Sequence, residues 1–495
     1  MKMTTKTKNR LPNIEHADVL IVGAGISGVD AACRLQQRCP DTSWLILEGR
    51  ERVGGTWDLF RFPGVRSDSD MYTLSFPFRP WRSDVAIVDG ESIRQYVEDT
   101  AREGGVLERT RFGHRVVRAD WSSAEQRWTV EAEAGAKRER FTCRYLYMAS
   151  GYYDYACPHR PQWPGESQYR GRIVHPQHWP GDLDHGGKSV AVIGSGATAV
   201  TLVPALARTA AHVTMVQRTP SYIVARPSRD AIAGALQRAL PARVAHGLTR
   251  WKNILLTAFL FSRARKQPAK FKRWIADQQR HELGADYPLE RDFAPPYAPW
   301  DQRLCLVPDA DLFAAMREGK ASIATGAIVR FTPTGVRLDS GEEIAADVVV
   351  TATGLNMKLL GGVALSLDGL PVEPSRHLIY KGMMLSGVPN LFIAFGYTNA
   401  SWTLRSDLTA RATCRLLNHM RRTGLAVCTP RADAGVEQRP IMDLTSGYVE
   451  RAAAMLPKQG NRHPWRVPQN HLADLLKMTF SPIGQGLEFG SRNRA

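Results

Sequence analysis

Tyr169-Arg170-Gly171-Arg172-Ile173-Val174-His175-Pro176-Gln177-His178-Trp179-Pro180 is followed, after the short turn Asp184-His185-Gly186-Gly187, by Ser189-Val190-Ala191-Val192-Ile193 and Gly194-Ser195-Gly196-Ala197-Thr198-Ala199. The second half has the pattern of a buried strand running into a glycine-rich turn that opens a helix. In this G-x-G-x-x-A arrangement a dinucleotide pyrophosphate lies against the N–H groups of the helix N-terminus. Val200 continues the helix. A second turn of the same kind lies far upstream, so the chain is expected to bind two dinucleotides.

The upstream copy is the strand Asp18-Val19-Leu20-Ile21-Val22 and the turn Gly23-Ala24-Gly25-Ile26-Ser27-Gly28. Its helix carries Val29, Ala32 and Leu35 at helical spacing, and the next strand, Trp44 to Leu47, ends in Glu48. An acid placed about twenty residues after the turn accepts from both ribose hydroxyls of a dinucleotide. The paired glycines of Gly54-Gly55-Thr56-Trp57-Asp58-Leu59 suit a loop packed against a large planar cofactor. Asp68-x-Asp70 reads as a polar loop and not as a metal pair, because nothing nearby completes a ligand set. No metal is expected.

Short alternating segments follow (His114 to Ala119, Trp128 to Ala132, Phe141 to Met148) and end in Ala149-Ser150-Gly151. The same order recurs after the second turn: a meander from Ile323 to Leu338, then Val348-Val349-Val350-Thr351-Ala352-Thr353-Gly354. This is an internal repeat at domain scale. The expected fold is α/β, with two Rossmann-like dinucleotide-binding domains, one inserted in the other. The first occupies 18–160 and 386–495, the second 161–222 and 321–385. Residues 223–320 form a mainly helical insertion, and 1–17 a disordered basic tail.

The copies differ where cofactor choice is made. The strand His212 to Val216 ends in Gln217-Arg218 where the first copy has Glu48. An acid there bonds a free 2′-hydroxyl, whereas an arginine accommodates a 2′-phosphate. The first site is therefore expected to take FAD and the second NADPH, with hydride passing between them. Cys33 and Cys39 are too widely spaced for a redox pair, which points to molecular oxygen as the acceptor.

The 495 residues carry a formal net charge of +17, with 43% hydrophobic and 23% charged residues. That balance suits a soluble globular protein with affinity for anions, either phosphorylated cofactors or acidic lipid headgroups. No nucleic-acid-reading motif accompanies it, so no nucleic-acid partner is expected. The seven cysteines are scattered and odd in number, as in reduced cytoplasmic proteins. Ile254 to Phe261 is too short to span a bilayer. The segment from Ser221 to Trp300 is helical in pattern and basic. It is expected to cover the active site and mainly to present a solvated face, with peripheral membrane contact as the alternative.

Tyr169-x-Gly171-x-x-x-His175-x-x-x-Trp179-Pro180 resembles the F-x-G-x-x-x-H-x-x-x-W-[PD] signature of type I Baeyer–Villiger monooxygenases, with tyrosine for phenylalanine. The resemblance runs from about Asp18 to about Leu475. It favours the ethionamide-activating subgroup through Gly54 to Phe60, Pro176 to Pro180 and Trp300-Asp301-Gln302-Arg303-Leu304. It implies an NADPH-dependent flavoprotein in which a C4a-peroxyflavin inserts one oxygen next to a ketone carbonyl, giving an ester or lactone. Sulfides or thioamides are further implied substrates.

By the same resemblance Arg303 is the cation that stabilises the flavin-bound peroxide, and Asp68 is the carboxylate that tunes it. Ser27, Gly55, Thr56, Trp57, Asp58, Leu59 and Val116 line the FAD, and Arg66, Ser67 and Asp68 also reach NADP. Gly171, His175 and Trp179 form a hinge between the nucleotide domains. Many relatives have lysine where this chain has Gln302, so selectivity for NADPH rests more heavily on Arg218. A heteroatom-oxygenating flavin monooxygenase, an NADPH oxidase and a flavin-binding protein without turnover are the competing readings. Phe76, Phe78, Trp81, Met357 and Trp402 read as core in preference to pocket. Neither the substrate nor the oligomeric state is legible.

Overall fold

The structure, a computed structural model, describes residues 14–302, 304–442 and 444–492. Strand β1 (Glu15–Val22) is parallel to β2 (Trp44–Leu47), and β2 to β3 (Thr110–Arg111). β4 (His114–Ser122) and β5 (Arg127–Ala134) form the meander. The long strand β6 (Lys137–Met148) serves both parts. Its N-terminal half is antiparallel to β5, and its C-terminal half runs parallel to β1 and to Leu391–Ile393. The first Rossmann-like sheet and its meander therefore share one continuous strand.

Two boundaries differ from the expected ones. β1 already begins at Glu15, with Glu15 opposite Phe141, because the paired backbone extends past the hydrophobic run. Residues 15–17 thus lie in the sheet and not in a tail, while residues 1–13 lie outside the described residues. Ala364–Leu367 pairs in parallel with β4 and then turns back on Leu370–Pro371, so this stretch joins the first sheet and not the second domain.

The second sheet contains β7 (Arg172–Val174), β8 (Ser189–Ile193) and β9 (His212–Gln217). Its order is Ala321–Thr325, β9, β8, Val348–Thr351, β7, with every neighbour parallel. The meander expected from Ile323 is therefore displaced. Ala321–Thr325 is a sheet strand, and the antiparallel meander runs from Ile328 to Ala345. The signature stretch supplies β7, the sheet edge, which explains its glycine. A Cβ on Gly171 would stand 2.3 Å from the Tyr169 hydroxyl and 2.4 Å from the Asp347 carbonyl oxygen.

The insertion contributes the helices Ala231–Ala239, Ala242–Lys266 and Pro268–Leu283. It begins and ends on a two-stranded parallel pair, Ile223–Arg226 with Cys305–Pro308. The helix Trp402–Thr423 packs back on the helix Ile26–Arg38 and closes the first domain.

Candidate active site

At Gly23 the backbone has φ +103°, and an added Cβ would meet the Ala149 carbonyl oxygen at 2.7 Å. One on Gly28 would lie 1.9 Å from the Gly23 carbonyl oxygen. Only glycine allows this strand, turn and helix to pack so closely, leaving the N-terminus of the helix Ile26–Arg38 uncovered toward a cavity. Gly194 repeats the device in the second domain, with φ +137° and a virtual Cβ 2.4 Å from the Ala352 carbonyl oxygen. Ala199 and Val200 are buried in the core behind that turn.

The cavity measures about 760 Å³, within the ~300–1,000 Å³ typical of cofactor sites. Gly23, Gly25, Ser27, Glu48, Gly55, Thr56, Trp57, Arg66, Ser67, Asp68 and Val116 line it, joined by Ala197, Thr198 and Thr201 of the second domain. The helix that follows the second turn therefore faces the same volume as the first turn, whereas Gly194, Ser195 and Gly196 do not line it. The Gly55 and Gly25 backbones touch, with a Cβ on Gly55 falling 3.0 Å from the Gly25 Cα. Glu48 is buried, and its Oε2 and Oε1 accept the N–H groups of Ala24 (2.6 Å) and Arg50 (2.8 Å). Burial raises its pKa, while both N–H donors and the Arg50 charge oppose the shift. The carboxylate is thus oriented, with lone pairs left for ribose hydroxyls. The residues present fit a flavin dinucleotide.

Other expected contacts are placed elsewhere. Asp58 is buried behind the wall among Arg50 (2.7 Å), Arg61 (3.0 Å) and Arg52 (3.2 Å), and Leu59 does not line the cavity. The reason is helical geometry: in the single turn Thr56–Leu59, the first two residues face the cavity and the next two turn away. Asp70 caps the turn Met71–Leu74 by accepting from the Thr73 N–H (3.1 Å), and takes a second bond from Asn253 Nδ2 (2.8 Å). Asp68 instead lines the cavity. Arg66 reaches across to the second domain, its Nη1 donating to Asp311 Oδ2 at 2.6 Å.

In the second domain, Ser195 Oγ donates to the Thr219 carbonyl oxygen (2.8 Å). Gln217 turns from the nucleotide side into the core, where its Nε2 donates to the Asp292 carbonyl oxygen (2.8 Å) and Thr325 Oγ1 (3.0 Å). A side chain that anchors the insertion in this way is unavailable to a ribose. Arg218 is exposed and forms no ion pair among the described residues. Arg303 lies outside the described residues. Asp301 accepts from Arg265 Nη1 (2.5 Å) and the Ala298 N–H (3.0 Å), and its carbonyl accepts the Thr445 N–H (3.0 Å).

The signature works through a clasp. Gln177 is buried, and its Nε2 donates to the carbonyl oxygens of Asp154 (2.8 Å) and Tyr155 (2.9 Å), both cavity residues. His178 Nε2 lies 3.1 Å from the same Tyr155 oxygen. His175 Nδ1 accepts the Gln177 N–H (3.1 Å), and burial lowers this imidazole to about 4, so it is neutral. Among the described residues no group of three or more His, Cys, Asp or Glu is placed to hold a metal ion. Trp179 packs against the second-domain core.

The pattern-based reading missed Tyr152, Tyr153 and Tyr155, which follow Gly151 directly and line the cavity. It also misplaced Trp402. This ring lies on the cavity wall, stacked on Tyr152 (5.2 Å), with its Nε1 donating to Ser27 Oγ at 2.8 Å. The tyrosine cluster was a visible signal; for Trp402 there was none. Phe76 and Met357 are core, and Phe78 and Trp81 pack against it.

Residues 17–245 match the family described as pyridine nucleotide-disulphide oxidoreductase. All seven cysteines are nevertheless free thiols. The chain is 52% identical over 481 residues to the FAD-containing monooxygenase EthA of Mycobacterium tuberculosis, covering 97% of this chain and 98% of that one. It is 48% identical over 484 residues to EthA of Mycolicibacterium smegmatis, covering 97% and 98%. In fold it is similar to a steroid monooxygenase solved with NADP, at TM-score 0.74 and 20% identity over 96% of this chain and 100% of that one. The chain belongs to the family of FAD-containing monooxygenases.

Proposed function

We propose that the chain is an NADPH- and oxygen-consuming Baeyer–Villiger monooxygenase that inserts one oxygen atom next to a ketone carbonyl to give an ester or lactone. Sulfide or thioamide S-oxygenation in the same cavity is the second activity, by resemblance to the ethionamide-activating subgroup. The observation that carries the reading is the cavity shared by the first glycine-rich turn and by Ala197, Thr198 and Thr201 of the helix after the second, with Asp68 on its wall. When bound, FAD supplies hydride acceptance from NADPH and activation of oxygen. The helix Ile26–Arg38 presents its N-terminal N–H groups to the pyrophosphate, and Glu48 takes the ribose hydroxyls. Arg218 takes the 2′-phosphate of NADPH. Arg303 holds the negative charge that develops on oxygen, and Asp68 positions it. Tyr152 and Trp402 exclude water from that side.

The test is turnover of the FAD-loaded enzyme with NADPH, isotopically labelled oxygen and a panel of ketones and sulfides, read by mass spectrometry. A labelled ester is expected. Labelled sulfoxide alone would reassign the chain to heteroatom oxygenation, and NADPH loss with only peroxide would make it an oxidase. Arg303→Ala is expected to keep FAD and lose the ester; full ester formation would reject the assigned role.

A further inference from the structure

The helix Ala242–Lys266 is amphipathic in the reverse of the usual sense. Its buried face carries His246, Thr249, Arg250 and Asn253. Three of these residues bond inward, although His246 Nε2 and Asn253 Oδ1 have no hydrogen-bond partner among the described residues. Arg250 Nη1 donates to the carbonyl oxygens of Tyr72 (2.7 Å) and Ser75 (2.8 Å), Asn253 to Asp70, and His246 Nδ1 accepts the Trp81 N–H. The outer face carries Val244, Leu248, Trp251, Leu255 and Phe259, each 42–60% exposed. Their spacing of three and four residues puts them in one stripe. The helix His471–Phe480 meets this one through the Trp251–His471 ring contact and exposes Leu476 and Phe480, one turn apart. A water-facing helix surface has no use for such a stripe, so something apolar covers it.

Charge identifies the cover. Residues 231–276 contain ten lysines and arginines and not one aspartate or glutamate. Arg263, Lys266, Lys270 and Arg273 cluster in sequence at the end of the stripe, are exposed, and form no ion pair among the described residues. A second copy of the chain would bring the same cations face to face across a two-fold interface. An anionic bilayer meets both features at once, taking the apolar stripe into the acyl boundary and the cations among the headgroups. No helix among the described residues is long and apolar enough to cross a membrane, so such contact is from one side. The inner side of the same helix reaches the site. Ile254 clusters with Tyr397 and Leu404, and Tyr397 lines the cavity.

We infer that the helix Ala242–Lys266 is a membrane-docking surface for anionic phospholipid bilayers, seating the monooxygenase with its cavity wall backed against the source of lipid-soluble substrates. Docking is independent of the reaction assigned above, because it is read without turnover. The experiment is flotation of the full-length, FAD-loaded protein with vesicles of phosphatidylcholine alone or mixed equally with phosphatidylglycerol. Flotation is expected with the mixed vesicles and not with phosphatidylcholine alone. Leu255→Ser/Phe259→Ser, and separately Lys266→Glu/Lys270→Glu, are each expected to reduce the bound fraction about tenfold or more, while FAD content and NADPH oxidation in buffer stay unchanged. Failure of the wild type to float with the mixed vesicles would overturn the inference, as would flotation of both variants equal to that of the wild type. A dimer that Leu255→Ser/Phe259→Ser dissociates would also overturn it, since a second copy would then cover the face.

Discussion

Replacing Gln177 with leucine removes the clasp between the signature stretch and the cavity floor while keeping an apolar side chain of similar volume. Two hydrogen bonds are lost, each contributing about 1 kcal/mol net. The consequences for the two carbonyl groups differ. The Tyr155 oxygen keeps His178 Nε2 at 3.1 Å. The Asp154 oxygen loses its one recorded side-chain donor, at a further cost of about 1–3 kcal/mol. Against this, Gln177 Oε1 is itself buried without a hydrogen-bond partner among the described residues, and deleting it returns about 1 kcal/mol. The balance is a loss of about 2–4 kcal/mol, small enough for the chain still to fold. If that energy holds residues 154–155 in their flavin-facing position, FAD affinity falls by up to about thirtyfold to a thousandfold. The assay is flavin fluorescence on dilution of the holoenzyme, alongside thermal unfolding. His178→Ala alone is expected to do little, whereas the double variant is expected to exceed the sum of the singles, because it orphans both carbonyl groups. FAD affinity within about twofold of wild type in Gln177→Leu would refute the clasp.

Arg218→Ala is expected to weaken NADPH about 10–100-fold, the worth of a charge-assisted phosphate contact, and to spare NADH; equal losses in KM for the two cofactors would reject the 2′-phosphate role. Tyr169→Phe restores the usual signature residue but deletes the bond from the Tyr169 hydroxyl to the Ala346 carbonyl oxygen (2.8 Å), so a stability loss of about 1 kcal/mol is expected by denaturant titration. His246 is buried, and burial with the neighbouring Arg250 charge lowers it from 6.5 to about 4. A lowered folded-state value means that the unfolded chain binds the proton first. Stability is therefore full above about pH 6.5 and declines toward about pH 4, by up to roughly 3 kcal/mol from this residue. His246→Asn, which keeps an acceptor for Trp81, is expected to flatten acid unfolding over that window, and an unchanged profile would assign the acid loss elsewhere.

What was legible in the sequence was local. Gly28 is fixed by a contact within one strand, turn and helix and Glu48 by the end of the adjacent strand, and the motif spacing marks Gly23 and Gly194 although the carbonyl groups that crowd them, on Ala149 and Ala352, are distant in sequence. Identity and spacing settle such positions before any distant partner is known. The readings that failed depended on which way a residue faces. Asp58 is as acidic as Asp68, yet it is enclosed by three arginines behind the wall. Gln217 sits at the position that reads the ribose, but Asp292, Thr325 and the insertion turn it inward. Trp402 is as large and apolar as any core residue; only its distant partners Ser27 and Tyr152 place it on the wall.

The same distinction governs the signature and the long helix. In the signature the fixed letters are phenylalanine (tyrosine here), glycine, histidine, tryptophan and a closing proline or aspartate, and Gln177 occupies a position open to any residue. The clasp nevertheless runs through Gln177, because the fixed residues settle the path of the backbone and so decide where that amide falls. His175 illustrates this: its Nδ1 accepts the Gln177 N–H and its buried ring stays neutral, so it orients the donor without carrying charge into the hinge. In the helix Ala242–Lys266 composition alone suggests apolar residues inside and cations outside. The carbonyl oxygens of Tyr72 and Ser75 reverse that by offering Arg250 acceptors within the protein. With Arg250, Asn253 and His246 bonded inward, the helix is left with an apolar face that water does not stabilise. A residue type limits what a position can do; long-range partners decide what it faces, and function follows from both.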